Sequence, residues 1–104
     1  QQWLQEQEEL LQESLGDTRL NVGFWADKSF MSERQLQRKI KRLTGLSPLQ
    51  YLLELRLAEA RQLLESGAKA SVAAVAYAVG FASGQTFSRN YKKRFGKLPS
   101  DYFN

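Results

Sequence analysis

The chain has 104 residues, the size of one ordinary domain, and 42% of them are hydrophobic, enough for a packed core and too many for a disordered tail. Its net charge is +4, and it has neither Cys nor His. That removes disulfides, Cys- or His-ligated metals, thiol nucleophiles, imidazole bases and Ser-His-Asp triads, so no enzymatic activity, cofactor or metal is expected. No apolar run approaches the roughly 18 residues of a membrane span, and no signal peptide is visible, so a cytoplasmic domain without membrane contact is expected.

The first predicted element is a helix over residues 2–15, with Trp3, Leu4, Leu10, Leu11 and Leu15 as its apolar residues and Gly16-Asp17 as its stop. Residues 1–19 set Glu6, Glu8, Glu9, Glu13 and Asp17 against Arg19 alone, a net −4, which leaves +8 for the remainder. Asn21 N-caps a short helix over about 22–28. Ser32 with Gln35 forms a capping box for a helix over about 33–44, which Gly45 closes. Pro48 opens a long helix to about Ser66, on which Leu49, Leu53, Leu57, Ala60 and Leu64 read as a core stripe. After a linker over residues 67–70, Ser71 caps a fifth helix over about 72–79, ended by Gly80. Ser83 caps a sixth over about 84–95, ended by Gly96, and Pro99 opens a last short turn. Strands are not expected, because no stretch alternates apolar and polar residues between hairpin turns. Residue 1 is Gln and the one methionine is Met31, so a piece of a longer or processed protein is expected.

The sequence repeats internally. A shift of 51 residues places Ser32 on Ser83, Arg38 on Arg89, Lys41 on Lys92, Gly45 on Gly96, Pro48 on Pro99 and Tyr51 on Tyr102. A shift of 50 places Asn21-Val22 on Ser71-Val72 and Ala26 on Ala76. The repeated unit is a capped short helix, a turn and a second capped helix, which by size is a helix-turn-helix. The fold class is therefore all-α, with about seven helices arranged as two such units on a long linker helix.

At 100° per residue, Leu36, Ile40 and Leu43 share the buried side of the helix after Ser32, while Arg34, Gln37, Arg38 and Lys41 lie opposite. In the second unit Phe87, Tyr91 and Phe95 face in, and Gln85, Ser88, Arg89 and Lys92 face out. Arginine bonds guanine bidentately and glutamine bonds adenine, so two such faces suit helices lying in a DNA major groove. Lys39, Lys41, Arg42, Lys92, Lys93 and Arg94 suit phosphate contact, as do the helix starts after Asn21 and Ser71; Lys39 and Arg94 equally suit snorkelling over the core. At 1.5 Å per residue the linker helix spans about 28 Å, which would set the two faces about one DNA turn apart, roughly 34 Å.

Residues 32–66, from Ser-Glu-Arg-Gln-Leu-Gln-Arg-Lys through Leu-Thr-Gly-Leu-Ser-Pro to Ala-Arg-Gln-Leu-Leu, closely resemble the DNA-binding domain of AraC/XylS-type transcription regulators. So do residues 71–99, with Val-Ala-Tyr-Ala-Val-Gly-Phe, Phe-Ser-Arg and Lys-Lys-Arg-Phe-Gly-Lys-Leu-Pro. The resemblance implies a DNA-binding domain over residues 20–104, with helix-turn-helix units over about 21–44 and 71–95 and a linker helix over about 48–66. It implies base contacts at Arg34, Gln37, Arg38, Gln85, Thr86 and Arg89. It also implies a double-stranded operator as partner, an upstream sensor, receiver or dimerisation domain, and RNA polymerase as a further partner. The acidic first helix resembles the output domains of two-component regulators. Four features depart from the family pattern: Gly84, Asn90, Gly23-Phe24-Trp25 and the linker over residues 67–70.

Other classes fit less of the sequence. A helical module docking an acidic protein does not need the repeated Arg/Gln face. An enzyme has no nucleophile-base pair here, because Ser32, Ser71 and Ser83 are accounted for as caps. A membrane-surface helix explains the long helix less well than a bundle core does.

Overall fold

In the computed structural model, residues 1–103 are described. Among them are six α-helices, one 3-10 helix and no strand: α1 (Gln2–Gln12), α2 (Val22–Lys28), α3 (Glu33–Thr44), α4 (Pro48–Ser66), α5 (Val72–Ala78), α6 (Gly84–Phe95) and the 3-10 helix Pro99–Phe103. The chain divides into two units, Gln1–Leu55 and the residues from Arg56 onward.

Short-range chemistry sets the helix ends. Asn21 Oδ1 accepts the Phe24 N–H at 2.8 Å, Ser71 Oγ the Ala74 N–H at 3.1 Å and Ser83 Oγ the Thr86 N–H at 3.2 Å. Ser32 and Gln35 make the reciprocal capping box, at 3.1 and 2.8 Å. Gly45 and Gly96 end α3 and α6 in the left-handed conformation, at φ 78° and 76°.

The first unit packs α1, α2, α3 and the start of α4 around Leu11, Leu15, Leu20, Trp25, Leu36, Ile40, Leu52 and Leu55. Trp25 is the centre of this core. Its ring is fully buried and stacks on Tyr51 at 5.7 Å, and its Nε1–H donates to Gln7 Oε1 at 2.8 Å. Ser29 Oγ donates to the same oxygen at 2.7 Å, so the buried Gln7 amide ties α1 to the middle and the C-terminal end of α2. In the second unit Leu57, Ala60, Leu64, Val75, Ala76, Val79, Phe87 and Tyr91 are buried. Tyr91 and Tyr102 share a hydroxyl hydrogen bond of 2.8 Å, and burial, together with that bond, holds the Tyr91 phenol well above its ordinary range.

Two sequence expectations change. The first helix ends at Gln12, not residue 15, because the chain tightens into i→i+3 turns at Leu11 C=O to Ser14 N–H and at Ser14 C=O to Asp17 N–H. Leu15 is buried all the same, carried inward by those turns. The five-residue stripe of α4 is only partly a core: Leu57, Ala60 and Leu64 are buried, Leu53 is half-buried and Leu49 is 67% exposed. The reason is that α4 serves two cores. Its first half buries Leu52 and Leu55 in the first unit, and its second half buries Leu57, Ala60 and Leu64 in the second, so no single 3.6-residue stripe describes it. The turn of the first unit has a backbone that the sequence does not announce. Phe30 stands there at φ 55° with its side chain 97% exposed, where the second unit has Gly80 at φ 90°. A left-handed non-glycine residue costs roughly 1–2 kcal/mol, and exposure returns none of it.

Gly23 lies inside α2, where glycine weakens a helix. A methyl group at Gly23 would meet Asn21 Oδ1 at 3.4 Å and Glu33 Oε2 at 3.7 Å, both ordinary contacts. Gly23→Ala is therefore expected to stabilise the first unit by about 0.5–1 kcal/mol in urea unfolding. A destabilised variant would show that these contacts are tighter than ordinary.

Candidate nucleic-acid interface

Leu36 and Ile40 anchor α3, and Phe87 and Tyr91 anchor α6; all four are fully buried. With those residues inward, helical periodicity turns the opposite faces to solvent. On α3, Arg34, Gln37, Arg38, Lys41 and Arg42 are exposed. On α6, Gln85, Thr86, Arg89, Lys92 and Lys93 are exposed. Each unit therefore carries one helix whose open face combines guanidinium, ammonium and amide or hydroxyl donors.

Several of these side chains already have partners. Lys41 Nζ donates to the Gly45 carbonyl at 2.9 Å, a charge at the C-terminus of its own helix. Thr86 Oγ1 accepts from Ser83 Oγ at 3.0 Å, so its hydroxyl belongs to the α6 cap network. Asn90 Nδ2 donates to the Thr86 carbonyl at 2.8 Å. Asn21 and Ser71 spend their side-chain oxygens on their own helix starts. Lys39 sits apart from the rest of its set. It is half-buried, on the flank of α3 nearest α1, with Nζ 4.1 Å from the centre of the Trp3 ring.

Some of the surrounding chemistry was not read from the sequence. In the second unit the Phe95 ring carries the Arg61 guanidinium at 5.0 Å and that of Arg94 at 4.8 Å, and Lys97 Nζ lies 3.9 Å from the centre of the Tyr102 ring. In the first unit the Glu33 carboxylate lies beside Gly23 at the start of α2. The usable signal was the repeat itself. Glu33 and Gly84 occupy the same place in the two units, first residue after the cap, and they differ by a full charge. In the turns between α1 and α2, hydrogen bonds from Arg19 hold the Asp17 carboxyl down at about 2.

Among the described residues, no group of three His, Cys, Asp or Glu side chains is placed to hold a metal ion, and no helix is long and apolar enough to cross a membrane.

Two capped helix pairs, each offering a cationic, amide-bearing second helix, define a double helix-turn-helix domain. The family model described as a helix-turn-helix domain matches residues 25–104. The transcriptional activator RhaS of Escherichia coli is 42% identical over 76 residues, which cover 73% of this chain and 27% of RhaS. Histidine kinase P4 of Formosa agariphila is 31% identical over all 104 residues, which are 8% of that protein. Among solved structures, the DNA-binding domain of the global transcriptional factor AdpA, in complex with a target DNA, matches with a TM-score of 0.85 and 32% identity, covering 95% of this chain and 87% of that one. The chain belongs to the AraC/XylS-type helix-turn-helix family of bacterial transcription regulators. It spans about a quarter or less of the curated relatives named here, 27% of one and 8% of the other.

Proposed function

We propose that this chain reads double-stranded DNA by sequence, as the output domain of a bacterial transcription regulator. The observation that carries the proposal is the pair of equivalent second helices, α3 and α6, with Arg38 and Arg89 at the same position on two exposed faces. The likeness to the AdpA domain, solved with its target DNA, supports it. In this reading Arg34, Gln37 and Arg38 contact bases in one major-groove segment, and Gln85, Thr86 and Arg89 contact bases in another. Asn21, Lys39, Lys41, Arg42, Ser71, Lys92 and Lys93 meet the backbone, the first and fifth through the helix starts they cap. Lys39 and Lys41 exchange Trp3 and the Gly45 carbonyl for phosphate on binding. The domain catalyses no reaction and works in the cytoplasm. RNA polymerase is its second partner, and a sensor, receiver or dimerisation domain precedes it. The match to histidine kinase P4 over the whole chain favours the two-component setting for that missing part.

The three-residue sets differ, so the operator contains two unlike short blocks about 10–11 base pairs apart. Sites selected from a random duplex library supply the test sequence. Arg38→Ala is expected to cost about 1–3 kcal/mol and to relax preference in one block, and Arg89→Ala to relax the other. Footprints of both variants on one selected site decide the matter. Loss of protection at the same block in both refutes the two-reader arrangement.

A further inference from the structure

The two units are built alike, but they differ in charge where the second helix begins. In the first unit Glu33 is the first residue of α3, and its side chain is exposed. Its carboxylate leans toward the start of α2: a methyl group on Gly23 would stand 3.7 Å from Oε2 and 3.9 Å from Cδ. On the helical wheel Glu33 falls on the edge next to Gln37, one of the residues assigned to base contact. The equivalent positions of the second unit are Ala73 and Gly84. A methyl group on Gly84 would meet nothing within 4 Å, so the same corner there is open and uncharged.

We propose that Glu33 limits how tightly the first unit holds DNA, acting by charge against the DNA backbone. This rests on the DNA-binding reading above. A carboxylate at the α2–α3 corner repels the phosphates that flank the groove entered by α3. The repulsion is the same for every sequence, so it lowers binding to all duplexes, while the base contacts of Arg34, Gln37 and Arg38 are made only at the right site. A penalty shared by every sequence lowers operator and random binding by the same factor, so it sets affinity and leaves their ratio unchanged. The second unit lacks the repelling charge and grips the backbone more firmly, so the two halves divide the work of reading and holding.

The test uses Glu33→Gln, which keeps the shape and removes the charge, and the mirror variant Gly84→Glu. Binding is measured on a selected operator and on random-sequence duplex across a salt series. Glu33→Gln is expected to bind operator and random duplex several-fold more tightly, by the same factor, and to steepen the salt slope by up to about 0.9, the equivalent of one phosphate contact. Gly84→Glu is expected to weaken random binding several-fold and flatten the slope. A merely structural role for Glu33 predicts the opposite sign, because losing an acidic first-turn residue weakens a helix and a weaker helix does not bind better. If Glu33→Gln instead relaxes preference at one base pair, Glu33 is accepting from a base such as cytosine, and the repulsion proposal is overturned. Unchanged random binding and slope in Glu33→Gln overturn it too. If the unaltered domain itself shows no salt-dependent binding, the DNA-binding reading fails, and that result is seen before any variant is made.

Discussion

Raising monovalent salt from 50 to 200 mM is expected to weaken binding of this domain to its operator by orders of magnitude. The body of the chain carries the basic excess, and its candidate backbone contacts lie on both units: Lys39, Lys41 and Arg42 in the first, Lys92 and Lys93 in the second. Each phosphate neutralised releases condensed counterions, so the log–log slope changes by about −0.9 per contact, and six to ten contacts amount to roughly 10³–10⁵ in affinity over that range. Arg42→Ala removes one exposed charge and is expected to flatten the slope by about one unit on every sequence alike. Arg38→Ala is expected to act mainly on discrimination between sequences. A titration series in a fluorescence-anisotropy assay separates the two, and a slope near zero for the unaltered domain would end the DNA-binding reading.

The second large effect lies in the cores. Trp25→Ala removes a fully buried indole, its stacking on Tyr51 and the donor to Gln7, and is expected to cost about 3–5 kcal/mol. Leu57→Ala in the second unit is expected to cost about 2–5 kcal/mol, since Leu57 is 1% exposed. Arg61→Ala is the control. Its guanidinium is half-exposed, pairs with Glu65 at 3.5 Å and lies over Phe95, and the loss is expected to stay under about 1 kcal/mol. Urea denaturation of the three variants gives the ranking. Equal costs for Leu57→Ala and Arg61→Ala would mean that α4 is rotated from the orientation described.

What sequence reasoning read well was local. The caps Asn21, Ser32, Ser71 and Ser83 and the closing glycines Gly45 and Gly96 are decided within four or five residues, so the boundaries of α2, α3 and α6 follow from spacing alone. The open faces of α3 and α6 followed from the same periodicity once Leu36, Ile40, Phe87 and Tyr91 were placed inside. What it missed depends on contacts distant in sequence. Gln7 looks like any surface glutamine of α1, and only the approach of Trp25 and Ser29 makes it a buried acceptor. For Lys39 the sequence leaves phosphate contact and snorkelling over the core both open, and only the approach of Trp3, 36 positions earlier, shows what its ammonium lies over. Leu49 and Leu53 failed as core because a one-stripe rule was applied to a helix that feeds two cores. Phe30 failed differently: no propensity scale places a phenylalanine in the left-handed turn where the second unit has glycine.

Both tryptophans of the chain, Trp3 and Trp25, fall in the first unit, and the second has tyrosine and phenylalanine only. The two halves therefore carry different optical labels. Emission excited at the red edge of the absorption band comes from the indoles and follows the first half alone, and the dry, hydrogen-bonded Trp25 gives it a large shift on unfolding. Far-ultraviolet ellipticity weighs every helix in both halves. If the two signals trace one curve in denaturant, the chain melts as a single cooperative body. If they separate, the half that holds Trp25 and the half that holds Tyr91 differ in stability, and the ellipticity curve divides into two steps of which the indole emission follows one.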